Sequence, residues 1–162
     1  MSRGSKFTIT IENSVAAMLS LYQIYRKTLQ SIELDETGYF AFVLQPISVA
    51  QMQASARPDR ENAFNLSPRD GPLVLTFVEL TWVDSQKDQS METITKKMHD
   101  EMEAVLIETG NLHYWIYPNY AAGWQNPFSS LGHTTYIKLK EVQRIYDSGN
   151  VMGRLQPGGF HL

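Results

Sequence analysis

His113-Tyr114-Trp115-Ile116-Tyr117-Pro118-Asn119-Tyr120 is the stretch whose reading decides the fold. Alternation places His113, Trp115 and Tyr117 on one side and Tyr114 and Ile116 on the other, the two-residue period of a β-strand. Aromatic rings suit strands because they pack well on a pleated surface. Taken as the last strand of a sheet, the segment completes a pattern that starts at Phe7.

Immediately before it, Met91, Ile94, Met98, Met102, Val105 and Leu106 recur at helical spacing. They predict a helix from about Met91 to Thr109, ended by Gly110, with Lys96, Lys97, Asp100, Glu103 and Glu108 mostly outward. Leu73 to Trp82 reads as a strand apolar on both faces with Glu79 inside it. Tyr39 to Gln45 reads the same way and stops at Pro46. Phe7 to Ile11 alternates as a strand, and Ser14 offers a cap for a helix from about Val15 to Ile32. That helix shows an apolar stripe of Val15, Met18, Leu19, Tyr22, Leu29 and Ile32.

The order strand, helix, strand, strand, helix, strand predicts an α+β, ferredoxin-like split β-α-β-β-α-β sheet, antiparallel, with both helices on one face. Residues 39–45 and 73–82 are read as its central strands. Their apolar second faces call for a covering layer, either a partner sheet or a large ligand. A turn at 35–38, a short helix at 47–53 and a long loop from Arg57 to Asp70 complete the first part. One domain of 162 residues is expected, with residues from about 121 as a C-terminal extension: a helix from about Thr134 to Tyr146, then a tail.

Composition narrows the function classes. A net charge of −3 with 14 scattered Lys and Arg argues against nucleic acid as a partner. Without cysteine there is no disulfide frame, zinc-thiolate site or thiol nucleophile. No histidine pair has metal-ligand spacing, so no metal is expected, and no apolar run is long enough for a membrane span. A soluble cytoplasmic protein is the simplest expectation.

Several ordered motifs resemble fungal FAD-linked oxidases of the berberine-bridge-enzyme-like (vanillyl-alcohol oxidase) superfamily. They are Tyr117-Pro118-Asn119-Tyr120, Trp124-Gln125-Asn126-Pro127, Arg144-Ile145-Tyr146-Asp147 and Pro157-Gly158-Gly159-Phe160-His161-Leu162, with Val43-Leu44-Gln45-Pro46, Asn65-Leu66 and Asp70-Gly71-Pro72-Leu73 upstream. The resemblance spans about residues 7–162 and matches the substrate domain of such enzymes. Their flavin-binding half, with its dinucleotide cradle and Arg-x-x-Gly-Gly-His-like segment, has no counterpart here, so the expectation is a substrate domain running alone. No cofactor is expected, and FAD only if a further domain supplies it.

The resemblance implies that Tyr120 lies where relatives bring a tyrosine close to the flavin. Without a hydride acceptor, its phenol could still donate to a substrate carbonyl. His113, a ring on the aromatic face, and Glu79, whose pKa would rise in an apolar setting, are the other candidate catalytic groups. Tyr117, Trp115, Asn119, Gln45, Tyr39, Phe77 and Trp124 are the candidate substrate-binding residues. His99, beside Asp100, is expected to face solvent. The function expected is a cofactor-independent cyclase of Diels–Alder kind, or an isomerase, acting in fungal secondary metabolism on a polyketide-like or terpenoid-like intermediate. A homodimer with paired sheets would enclose it. The alternatives are a fragment or subunit of an FAD-dependent oxidoreductase, and a non-catalytic binding or assembly protein.

Overall fold

The computed structural model describes residues 3–32, 38–56, 62–156 and 158–162. Its elements are β1 (Arg3–Glu12), α1 (Val15–Gln30), β2 (Phe40–Ile47), α2 (Val49–Ser55), β3 (Leu73–Trp82), α3 (Asp88–Glu108), β4 (Leu112–His113), α4 (His133–Tyr146) and α5 (Val151–Leu155). The sheet is antiparallel in the order β2-β3-β1-β4, the ferredoxin-like arrangement. The expected turn at 35–38 and the start of the expected 57–70 loop fall largely outside the described residues.

Strand alternation divides the sheet into two unlike faces. Phe7, Ile9 and Ile11 of β1 and Val74, Val78, Leu80 and Trp82 of β3 pack with α1 and α3 in the main core. From α3 come Met91, Met98, Met102 and Leu106, as the helical spacing predicts. From α1 come Ala17, Leu21, Ile24 and Tyr25, with Met18, Leu29 and Ile32 of the expected stripe packed against them, while Val15, Leu19 and Tyr22 of that stripe are exposed. Both sets have helical spacing. The buried one contains Ala17, whose small side chain lets the helix approach the sheet, and Tyr22 lies at the margin on Phe42 with ring centroids 5.8 Å apart.

Two strand expectations are corrected. Residues 39–45 were expected to be central, but β2 is an edge strand and the central pair is β3 and β1. An edge strand tolerates a residue without N–H, so β2 continues through Pro46 to Ile47. The aromatic run 113–120 is not a strand beyond His113. Its backbone donors go elsewhere: Trp115 N–H to His113 Nδ1 at 3.3 Å and Ile116 N–H to Ser130 Oγ at 3.2 Å. Pro118 has no donor to give, and Tyr120 and Ala121 N–H both bond the Tyr117 carbonyl at 3.1 Å, which turns the chain.

With β4 cut short, the outer rungs of β1 lack a strand partner at Thr8. The Gln125 carboxamide takes that place. Its Oε1 accepts from Thr8 N–H at 3.1 Å, and its Nε2 donates to the Thr8 carbonyl at 2.8 Å. Oε1 also accepts from Ala122 N–H at 3.0 Å. A loop side chain thereby stands in for one residue of the missing strand.

The second face carries Ile47, Gln45, Val43 and Ala41 of β2, Leu73, Leu75, Phe77 and Glu79 of β3, and Thr10, Thr8 and Lys6 of β1, as the register dictates. The chain itself covers one end. Met52, Leu66, Leu73, Leu75, Trp115 and Leu131 form a second buried cluster, flanked by Ile47, Tyr117, Tyr120, Phe128 and Leu139. The expected external cover is therefore not needed over Leu73 and Leu75. Beyond them, Val43, Phe77 and Glu79 stay half-exposed. α4 packs only lightly: Ile137, Val142, Ile145 and Tyr146 are exposed, and α5 occupies part of what read as tail. No helix among the described residues is long and apolar enough to cross a membrane.

Candidate functional site

The border between the covered and open halves of the second face is where the predicted residues meet. Tyr120 lies with its ring on Phe77, centroids 4.5 Å apart, and edge-on to Tyr117 at 5.0 Å. Gln45 reaches over from β2 and its Nε2 donates to the Tyr120 hydroxyl at 3.5 Å. That oxygen accepts from Gln45, which leaves the phenolic proton free for another acceptor. Asn119 Nδ2 donates to the Tyr117 hydroxyl at 2.7 Å, and Lys6 Nζ donates to the Asn119 carbonyl at 3.1 Å. Trp115 lies below, buried, 5.5 Å from Tyr117. Six predicted residues (Gln45, Phe77, Trp115, Tyr117, Asn119 and Tyr120) thus form one patch on three elements.

Glu79 joins the same face but not as expected. It sits half-exposed on the central strand β3, opposite Ala41 on β2 and Lys6 on β1, and not in an apolar enclosure. Tyr39 is not at the patch: it is exposed ahead of β2, with its backbone N–H and carbonyl tied to Thr81. Trp124 is also elsewhere, edge-on to His99 at 4.7 Å with Lys96 Nζ 5.1 Å from its ring. His113 lies on the second side of the sheet beside Asp70, with its Nε2 3.8 Å from Asp70 Oδ2. Burial pushes its pKa below the ordinary histidine value, with Asp70 and Glu12 pulling weakly the other way.

His99 was expected in solvent, yet it is buried against Phe7 at 5.3 Å. Its Nε2 lies 3.4 Å from Gln125 Nε2 and its Nδ1 lies 3.1 Å from Asp100 Oδ1. Because Gln125 Nε2 can only donate, His99 Nε2 accepts and the ring proton sits on Nδ1. Gln125 and His99 were missed as structural groups. The sole signal was the Trp124-Gln125-Asn126-Pro127 motif, and spacing cannot say that a loop amide will pair with β1.

The patch is an open surface with a hydroxyl donor set among rings. Two clefts of about 770 and 760 Å³ lie alongside it and share Lys6, Ala121 and Gly123. Neither is lined by Tyr120, Gln45 or Phe77. Among the described residues no cluster of His, Asp or Glu could hold a metal ion.

Comparison with known proteins finds that the chain is similar to parts of several fungal proteins. The bifunctional solanapyrone synthase of Alternaria solani is 31% identical over 163 residues, all of this chain and 31% of that protein. The FAD-dependent monooxygenase FUP4 of Fusarium proliferatum is 30% identical over 131 residues, 80% of this chain and 25% of that protein. Oligopeptidase PhomG' of Diaporthe leptostromiformis is 23% identical over 162 residues, 99% of this chain and 13% of that protein. The chain therefore spans less than a third of the length of these curated relatives. Its relatives include fungal FAD-dependent monooxygenases. No protein-family model matches it.

A flavin dinucleotide needs a cradle for its phosphates, usually a glycine-rich turn between a strand and a helix N-terminus. Here β1 leads into α1 through Asn13-Ser14, β2 into α2 through Ser48, and β3 into α3 through residues 83–87, all without glycine. None of these three turns offers the dinucleotide's phosphates a glycine-rich cradle.

Proposed function

We propose that this chain is a substrate-recognition domain of fungal FAD-linked oxidoreductase chemistry in secondary metabolism, with the dinucleotide held by residues outside it. The observation that carries the proposal is the Tyr120–Gln45–Phe77 patch. Phe77, Val43 and the Tyr120 ring offer flat apolar contact, while the Tyr120 hydroxyl, oriented by Gln45, offers a proton to a carbonyl or enol oxygen. Asn119 and Lys6 add polar points at one end. A largely apolar molecule with few oxygens, polyketide-like or terpenoid-like, matches that surface.

A second reading uses the same patch without a cofactor. A phenol that polarises a carbonyl-bearing diene or dienophile suits a Diels–Alder-like cyclase, and a phenol that relays a proton suits an isomerase. A second copy lying on the open half of the sheet face would then enclose the substrate. What supports this reading is that one relative matched by the whole chain is named a synthase and not a monooxygenase.

Disrupting the gene in the source organism and profiling its metabolites separates the two. An accumulated precursor that differs from the lost product in hydrogen or oxygen content supports the oxidoreductase. One isomeric with the product supports the cyclase or isomerase. Complementation with Tyr120→Phe is expected to cut product formation roughly a hundredfold with the fold intact, because the ring still stacks on Phe77. Undiminished product from that variant rejects both readings. The purified chain, mixed with excess FAD and desalted, is expected to emerge colourless, since its first three strand-to-helix turns hold no glycine for a phosphate cradle; a retained flavin spectrum contradicts that expectation.

A further inference from the structure

His113 stands where β4 ends and the aromatic run begins. Its Nδ1 accepts the Trp115 N–H at 3.3 Å, so the neutral ring carries its proton on Nε2. Nε2 is buried without a hydrogen-bond partner among the described residues, 3.8 Å from Asp70 Oδ2, and the side chain is 9% exposed. The ring lies 4.2 Å from that of Tyr114, whose hydroxyl donates to the Asn65 carbonyl at 2.7 Å. Asp70 is itself held, its Oδ2 accepting from Ser67 N–H at 2.7 Å. The charged groups facing the imidazole are thus Asp70, from the 3₁₀ turn before β3, and Glu12, from the end of β1. The titratable phenol beside it is Tyr114, and its cross-strand neighbour on β1 is the uncharged Thr10.

A second proton has one place to go, Nδ1, and there it meets the Trp115 N–H donor. Two donors cannot share a hydrogen bond, so protonation breaks this tie and turns the ring toward Asp70. Trp115 leads on to Tyr117 at 5.5 Å, and Tyr117 to Tyr120 at 5.0 Å.

We infer that His113 is a positioning residue with a pH-dependent grip: neutral, it holds the Trp115 backbone and so sets the rings that carry Tyr120; protonated, it releases them. The inference rests on the proposed role of the Tyr120 patch, but its test does not. The buried neutral ring takes up a proton less readily than the ring of the unfolded chain. Its contribution to stability is complete above the ordinary value of 6.5 and is lost as pH falls through that value to the lower folded one.

The Trp115 amide, followed by ¹H–¹⁵N NMR and hydrogen exchange from about pH 7.5 to about pH 5, reads the grip directly. Corrected for the intrinsic pH dependence of exchange, its protection is expected to fall about fivefold to tenfold, the loss of one hydrogen bond, in step with titration of the His113 ring. In His113→Asn, the amide oxygen replaces Nδ1 as acceptor and cannot be protonated, so protection should hold across the range. In His113→Phe it should be low throughout. An amide indifferent to pH in the native chain, or one that titrates equally in His113→Asn, overturns the inference. Loss of the Tyr120→Phe effect on product with an intact His113 titration would instead overturn the functional proposal alone.

Discussion

Gln125→Leu is expected to lower stability by about 2–5 kcal/mol, because two buried N–H groups and a carbonyl lose their partner at once. Leucine fills much the same volume, so little of the loss comes from a cavity. What remains is the cost of Thr8 and Ala122 donors buried with nothing to accept them. Urea unfolding with unchanged m-value measures the loss, and hydrogen exchange locates it, with faster exchange at the Thr8 amide. Gln125→Glu refines the case. It keeps both accepted bonds but sets a carboxylate oxygen against the Thr8 carbonyl and His99 Nε2. It should therefore recover part of the stability, more at low pH, where that oxygen can carry a proton. A leucine variant as stable as the native chain would mean that the amide is not a substitute strand rung.

Trp115→Ala is expected to cost about 3–5 kcal/mol, as for other large rings removed from a buried site. Trp115 is 4% exposed and centres the second cluster, with Phe64 at 5.7 Å, Tyr117 at 5.5 Å, and Leu73 and Leu75 of the sheet beneath. Its Nε1 makes no hydrogen bond among the described residues, so Trp115→Phe removes volume without stranding a partner and should cost about 1–2 kcal/mol. Thermal unfolding of the pair decides the matter. Similar losses in both variants would show that the indole nitrogen, not ring packing, anchors the cluster. Because the cluster forms one border of the Tyr120 patch, Trp115→Ala should also reduce product formation, whereas Trp115→Phe should spare it.

Long elements were legible because their apolar periodicity is strong. β3 spans Leu73 to Trp82 as read, and the Met91–Leu106 stripe of α3 is buried as read. In α1, spacing placed Met18, Leu29 and Ile32 on the core side but could not show that Ala17, Leu21, Ile24 and Tyr25 would be its most buried residues. The aromatic run alternated like a strand, but alternation says nothing about whether backbone donors find a ladder partner. Side chains of His113 and Ser130 took those donors, and Pro118 ended the run. Six of the ten candidate site residues converge on one patch. Tyr39 and Trp124 carry suitable chemistry but lie elsewhere, and His113 meets the patch through the Trp115 backbone, since residue type does not specify which end or edge of a sheet a side chain occupies.

By itself the sequence determined the strand and helix order, the ferredoxin-like class and the Tyr117–Tyr120 segment as the centre of interest, because periodicity and turn residues are local properties. Tertiary structure alone decided that β2 is an edge, that β4 is two residues long and that Gln125 replaces its missing rung. It also brought Gln45 to the Tyr120 hydroxyl across 75 residues of chain. These are long-range pairings of polar groups. The rule they obey, that buried backbone groups find hydrogen-bond partners, is met here only when residues far apart in the chain come together.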